Sequence, residues 1–555
     1  MKKNSLLVLC FFLSLTLSGQ IKESEAIDSI FMDWNNASVP GCALGVIKGN
    51  ELVYSRGYGS ADLEHDLKIT PSSVFYIGSV SKQFVTFSIL LLEEQGKLDL
   101  DDRIQKFLPD FPEYESPLTI RHFIHHTSGV RDYLTLMYLK GRNYLDDMDP
   151  EEVYELIRRQ KELNFSPGEK YLYSNSCYFM LAMIVEKASG QTLKNFAQQH
   201  IFEPLGMKST IFYDDNTDLI KNRVFSYRPT EDEGDFDNLI MRFDLVGSGG
   251  VYSNIEDLFL WDQNFYQNKL GKGGQAIIEK MHIEGLLNSG ESSGYAFALN
   301  NGNYKGLKTV SHGGSLAGYR AQLMRFPDQH FSVIILANRG DANPTAMSYQ
   351  VADILLEHEF ISTPEEKETE KLVNVADGSP EYSLPQLTGT YELQPGASLE
   401  LSIQNDSLHV FQTWNKAAYN IVPVEGNTYE SPGEPEVRFV FSDFKNDHTQ
   451  VLTVIQNGKE TTCKRKNEIK QDDIDLDAYT GVYYSEEIDA RYRFFIQDDK
   501  LNVQIANNDP MELDVYGIDQ FVSGRTLVQF KRSEGILNGF DLDAGRVKNL
   551  KFEKI

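Results

Sequence analysis

At 555 residues the chain is too long for one ordinary domain, and 41% hydrophobic with 12% aromatic residues supports large cores and excludes intrinsic disorder. A formal net charge of −28, with no basic patch standing out, argues against nucleic acid and against an anionic membrane surface as partners.

In chain order, Lys2 and Lys3 precede an apolar run from Leu6 to Leu17 and the small residues Ser18 and Gly19. That order predicts a cleaved secretory signal over 1–19, and hence export to the periplasm, the cell envelope or the exterior. The run is too short to span a bilayer comfortably, and no later stretch is long and apolar enough to do so. A lipoprotein signal on Cys10 would leave too little apolar length ahead of the cysteine. Cys10, Cys42, Cys177 and Cys463 are widely spaced, without a paired metal spacing, and predict no disulfide framework. Cys42 and Cys177 sit in apolar contexts and read as small core residues.

Glu23 to Asn35 predicts a helix. Cys42 to Tyr58 predicts a hairpin, CALGVI and ELVYSRGYG about the turn Lys48-Gly49-Asn50. Val80 to Glu94 predicts a second helix, with Phe87, Ile89 and Leu90 to Leu92 as its apolar body and Gly96 as its stop. Helical patterns and loops run on to about Asn268. Strands return over Thr309 to Ala337, where YRAQLMRF and HFSVIILAN flank Pro327-Asp328-Gln329, and Ala346 to Glu359 predicts a closing helix. Strands at both ends around a helical middle predict an α+β domain over 20–360, with one mixed sheet built from both ends.

The segment 361–378 is charged and weakly patterned, and reads as a linker. Beyond it short alternating strands dominate. LTGTYEL at Leu387 resembles YTGVYYS at Tyr479, and LELSIQNDSLHV at Leu399 resembles RYRFFIQDDKLNV at Arg491. Ile403 with Ile496 and Leu408 with Leu501 are offset by 93 residues, Gly389 with Gly481 by 92. The near-constant offset predicts two related β units, 379–468 and 469–555, as two small barrels or as halves of one larger β structure. Tyr391, Trp414, Tyr483 and Tyr492 read as strand packing. Residues 379–555 supply no catalytic cluster; they either cap an active-site cleft or bind a partner or glycan.

The chemistry starts at Ser79 and Lys82, an S-x-x-K pair at a helix N-terminus. Residues three apart share a helix face, which sets the hydroxyl beside the amine. Free N–H groups at that end favour developing negative charge. A serine is a weak nucleophile until a base takes its proton, and a buried lysine can have its pKa lowered enough to be that base. Taken alone, the pair reads as a capping serine and a solvated lysine. Other segments agree with the chemical reading. FSPGEKYLYSNSCY carries Tyr173, whose phenol can relay a proton if a nearby ammonium lowers its pKa, and Asn175, whose amide can donate to a substrate carbonyl. TVSHGGSLAGYRAQLMRF carries His312, which can orient the substrate or tune the site, and two glycines that let a substrate approach a strand edge. There the N–H of Ser315 can join that of Ser79 as an oxyanion hole. In DLVGSGGVYSNIEDLFLWDQNF the glycines and a Ser253 cap read as structural.

With these segments in order, the chain resembles the serine hydrolases that include class C β-lactamases, D,D-carboxypeptidases of the penicillin-binding type and related esterases. The family order is S-x-x-K, then Tyr-x-Asn, then a Lys- or His-x-Gly triplet, and here it reads Ser79–Lys82, Tyr173–Asn175 and His312–Gly314. VPGCALGVI, FIHHTSGV, FEPLGMKST and GSGGVYSNIEDLFLW are further likenesses, and the resemblance covers residues 25 to 358. It implies a β-lactamase/transpeptidase-like fold, an antiparallel sheet from both chain ends plus a helical region. It implies Ser79 as the acylated nucleophile, Lys82 and Tyr173 as the proton-transfer pair, and Asn175, His312, Gly314 and Ser315 as substrate-binding. His312 stands where the best β-lactamases have lysine, which removes a permanent cation and weakens the case for carboxylate-ended substrates.

The reaction implied is hydrolysis of a small peptide, ester or amide through an acyl-enzyme, with no metal and no cofactor. His122, His125 and His126 match a structural loop of the family and not a zinc site. A catalytically inactive binding or sensor protein on the same fold is the alternative from another class.

Overall fold

The computed structural model describes residues 22–361 apart from 144 and 233, 382–466 apart from 432, 433, 457 and 458, and 474–555. The secretory signal and nearly all of the linker expected from the sequence lie outside these residues.

The region over 22–361 is built on a six-stranded sheet in the order Asn300–Tyr304, Leu307–Leu316, Tyr319–Phe326, Phe331–Ala337, Cys42–Lys48, Glu51–Tyr58. Strands from both ends of the region meet where Cys42–Lys48 pairs with Phe331–Ala337, Val46 opposite Val333. Every ladder is antiparallel. That corrects the mixed sheet read from strand placement and agrees with the family form. Tight turns join most sequential neighbours, and parallel pairs would need long crossovers. The internal strand CALGVIK, next to the edge strand Glu51–Tyr58, is buried on both faces. Cys42, Leu44 and Val46 pack with Ile27, Phe31 and Val351 of the flanking terminal helices, while Ala43 and Ile47 face the core of the helical region. This is the period of two expected of a strand sandwiched between helical layers. Gly45 leaves room for Ile255, since a Cβ there would stand 3.3 Å from Leu52 and closer still to Ile255.

The elements differ in detail from the sequence reading. The first helix is Ser24–Ile30, continued by a 3₁₀ turn at Met32–Trp34. The helix predicted from Val80 begins as a 3₁₀ turn at Gly78–Ser81 and becomes α-helical at Lys82–Glu94. The closing helix is Pro344–Leu355, because the Asn343 side chain accepts from Ala346 N and Pro344 fits the first turn. Asn254, and not Ser253, caps the helix Ile255–Tyr266 by accepting from Asp257 N. Cys42, Cys177 and Cys463 are free and buried.

The tail forms two closed barrels of eight strands each, over 389–465 and 481–554. The repeat has a structural counterpart in each. Gly389 and Gly481 open their first strands at φ +133° and +136°, backbone that favours glycine. Two residues on, Tyr391 and Tyr483 each donate from the buried hydroxyl to the carbonyl four residues back, of Leu387 and Tyr479, at 3.0 Å. The first barrel has a core of its own. The aromatic core of the second is continuous with that of the region over 22–361, and Tyr492 donates to the Leu139 carbonyl at 2.7 Å.

Candidate active site

Gly78 has φ +54°, and its missing Cβ lets the turn press on the neighbouring strand, since a Cβ would stand 2.6 Å from Ser315 N. Gly314 answers it from the other side: a Cβ there would overlap the Ile77 carbonyl and stand 3.0 Å from Ser79 N. The two glycines thereby bring the N–H groups of Ser79 and Ser315 to one edge of a cavity of about 530 Å³. That cavity is lined by Ser79, Tyr173, Asn175, His312, Gly314 and Ser315, with Lys82 buried directly beneath Ser79.

Lys82 is completely buried. Its Nζ lies 3.0 Å from Ser79 Oγ and 2.9 Å from Asn175 Oδ1, and it also donates to the Ser248 carbonyl. Burial holds its pKa well below the usual lysine value, and the Arg546 guanidinium lowers it further. A neutral amine has two N–H donors and one lone pair. With Asn175 and Ser248 as acceptors, the lone pair faces the Ser79 hydroxyl, as a base requires. The 3₁₀ turn does not spoil the i, i+3 relation, because side chains three apart eclipse in that geometry.

Asn175 opens the helix Asn175–Ser189 and is held by its backbone, whose N–H donates to Asp132 Oδ2 at 2.7 Å. Tyr173, two residues earlier, is half-buried with its hydroxyl oxygen buried, and its ring centroid lies 4.9 Å from Lys82 Nζ. Its phenol makes no hydrogen bond of ordinary geometry among the described residues, although it is near enough for the Ser79 hydroxyl to bear on its ionisation. Burial raises its pKa and outweighs both that hydroxyl and Arg546. The condition set for that relay, a phenol lowered by a nearby ammonium, is therefore not met. Desolvation of the phenolate wins, and Tyr173 rests as a neutral phenol able to give or take a hydrogen bond.

His312 lies at the strand edge with Nδ1 2.6 Å from the Gly313 carbonyl and Nε2 2.8 Å from the Tyr295 hydroxyl. Nδ1–H therefore donates to Gly313, and Nε2 accepts from Tyr295. Burial first, then the nearby Lys82, lowers its pKa to about 4, so the ring is neutral at neutral pH. The three histidines of the H-x-x-H-H cluster are bonded within the structure. His122 closes a capping box with Thr119, His125 Nδ1 meets the Tyr295 carbonyl at 3.0 Å, and His126 Nδ1 accepts from Ser174 N.

All seven residues singled out from the sequence meet around this cavity. Four others in the site were not. The Ser248 carbonyl holds Lys82, so the segment read as merely structural supplies a polar group to the site. Tyr295 fixes His312, and Asp132 fixes Asn175; neither of these two stands in a motif of its own. The fourth is Arg546, in the turn between the strands Ile536–Ala544 and Val547–Lys554 of the second barrel. Its guanidinium lies 4.6 Å from the Tyr173 ring centroid and lines the cavity.

That turn is clamped through its backbone. The Arg546 carbonyl accepts from Asn164 Nδ2 at 2.9 Å. Arg131 donates to the carbonyls of Lys548 at 3.1 Å and Asn549 at 3.0 Å. Arg131 is itself buried in an ion pair with Glu487 at 2.7 Å.

The Beta-lactamase family model matches residues 27–356. Penicillin-binding protein 4* of Bacillus subtilis (strain 168) is 31% identical over 379 residues, which cover 65% of this chain and 82% of that protein. A D-aminopeptidase of Cereibacter sphaeroides (strain ATCC 17029 / ATH 2.4.9) is 29% identical over 350 residues, 62% of this chain and 64% of that protein, so the match spans just under two thirds of the enzyme. The octameric penicillin-binding protein homologue from Pyrococcus abyssi shares the fold, with a TM-score of 0.55 at 22% identity over 87% of this chain and 98% of that one.

Proposed function

The chain is a serine hydrolase of the beta-lactamase family, and from that premise we propose that it cleaves an amide or ester of a small amino-acid or peptide derivative, of the kind a D-aminopeptidase or a penicillin-binding peptidase takes, through an acyl-enzyme on Ser79. Ser79 Oγ attacks the carbonyl carbon as its proton passes to Lys82. The N–H groups of Ser79 and Ser315 hold the oxyanion. The tetrahedral intermediate collapses, the C–N or C–O bond breaks, and Tyr173 hands a proton to the leaving group while taking one from Lys82. Water attacks the acyl-enzyme by the reverse relay and frees Ser79. Asn175, held through its backbone by Asp132, orients the substrate amide, and the His312 ring, bonded on both nitrogens, shapes the strand edge beside it. The second barrel forms part of one wall of the cleft.

The observation that carries this reading is the fully buried Lys82, with its amine 3.0 Å from Ser79 Oγ and its other partners supplied by Asn175 and Ser248. A lysine that only capped or solvated a helix would not be desolvated against a serine. The charged and then apolar N-terminal run supports work outside the cytoplasm, with the mature chain starting near Gln20.

Intact-protein mass spectrometry of the exported enzyme tests it, after incubation with a fluorophosphonate, a penicillin and D-alanine amide, beside Ser79→Ala. The expected result is a mass starting near Gln20 and a fluorophosphonate adduct that Ser79→Ala abolishes. The reagents that also leave an adduct, or are turned over, then rank the substrate classes. A folded wild type that no reagent labels would overturn the proposal in favour of a binding protein.

A further inference from the structure

In a chain of net charge −28, the cavity above Ser79 has no carboxylate among the described residues that line it, and two of those residues are arginines, Arg320 and Arg546. Arg320 is occupied from Nη1 by the carbonyls of Ala317 and Tyr319. Arg546 is not so held. Its side chain is 42% exposed, its ion-pair partner is Asp132 Oδ2 at 3.7 Å, beyond hydrogen-bond reach, and its guanidinium makes no hydrogen bond to the described residues. Asp132 is meanwhile engaged by the N–H of Asn175. The backbone of the turn is fixed by Asn164 and Arg131, while Tyr173 supports the guanidinium face from below. A planar cation thus lines an open cleft with its N–H donors unbonded among the described residues, and a guanidinium in that state can bind a carboxylate with two parallel hydrogen bonds.

We propose that Arg546, carried by the second barrel, is the substrate-reading cation of this active site, and that it binds a carboxylate on the substrate beside the scissile bond. The site of the catalytic region is then incomplete without the barrel. His312 is neutral and bonded on both nitrogens, so the cation missing from the strand edge is supplied from the second barrel, about 230 residues later in the chain. A substrate with a free ammonium finds no carboxylate there and meets Arg546 instead. The inference rests on the Ser79 acyl-enzyme reading above and gives it a substrate charge.

Protection of Ser79 from fluorophosphonate labelling tests it in the full-length enzyme. N-succinyl-D-alanine amide carries a carboxylate in the acyl part and N-acetyl-D-alanyl-D-alanine carries one in the leaving part. N-acetyl-D-alanine amide is neutral, and D-alanine amide is cationic. At least one of the two carboxylates should halve the labelling rate at about a tenfold lower concentration than the neutral amide, as expected of a charge-assisted bidentate pair, with D-alanine amide the weakest. Arg546→Gln should erase that difference, and Arg546→Lys should restore part of it. Equal protection by charged and neutral compounds, no protection by any of them, or a difference that survives in a folded Arg546→Gln overturns the proposal. Absence of labelling in the unprotected wild type would instead overturn the hydrolase reading beneath it.

Discussion

Lys82 is the residue on which the chemistry turns, and its protonation sets the pH dependence. The reactive form is the neutral amine. Its pKa in the folded protein lies well below that of a free lysine, first through burial and then through Arg546. Acidification through that lowered pKa protonates the amine and removes the base. Below it, Ser79 labelling should fall by about tenfold per pH unit and above it reach a plateau. Arg546→Gln takes away a cation that disfavours the ammonium, so the acidic limb should move to higher pH. Rate profiles of fluorophosphonate labelling for the two proteins read this directly, and a limb that stays in place or moves to lower pH contradicts the assignment. His312 adds no step until the pH nears its own value of about 4.

At the scale of elements, the site depends on two backbones that touch. The 3₁₀ turn at Gly78–Ser81 and the strand Leu307–Leu316 approach closely because positions 78 and 314 carry no Cβ. Gly314→Ala would drive a methyl group into the Ile77 carbonyl and part the N–H groups of Ser79 and Ser315. Loss of one oxyanion donor is worth about a hundredfold or more in rate. We therefore expect Ser79 labelling to slow by about that factor while circular dichroism keeps its wild-type form. Wild-type labelling by Gly314→Ala would show that the two N–H groups do not act together.

At the scale of the molecule, the second barrel is docked by buried polar contacts as well as by its aromatic core. Arg131 and Glu487 are both buried, and Glu487 also accepts from Lys161 N at 2.7 Å. Removing one partner of a buried pair leaves an uncompensated charge and costs about 3–5 kcal/mol. Glu487→Ala should accordingly lower the urea midpoint and open the turn at Gly545 to proteolysis. The neighbouring pair of Lys161 with Glu486 is exposed, with side chains 59% and 74% accessible. Its loss in Glu486→Ala should cost about 0–1 kcal/mol. Equal destabilisation by the two substitutions would mean that the buried pair does not hold the barrel.

The sequence by itself determined the order S-x-x-K, Tyr-x-Asn, His-x-Gly, the sheet shared by both ends of the catalytic region, and the repeat in the tail. These are written in local spacing and in alternating hydrophobicity, which adjacent residues carry without help from the rest of the chain. Only the tertiary structure decided that the Ser248 carbonyl holds Lys82, that burial raises the Tyr173 phenol where the relay required a neighbouring cation to lower it, and that the repeat closes as two barrels. It also decided that Arg546 stands over Tyr173. Desolvation depends on everything packed around a group, and a contact between residues 173 and 546 depends on how a barrel docks. Neither leaves a periodicity or a spacing in the chain.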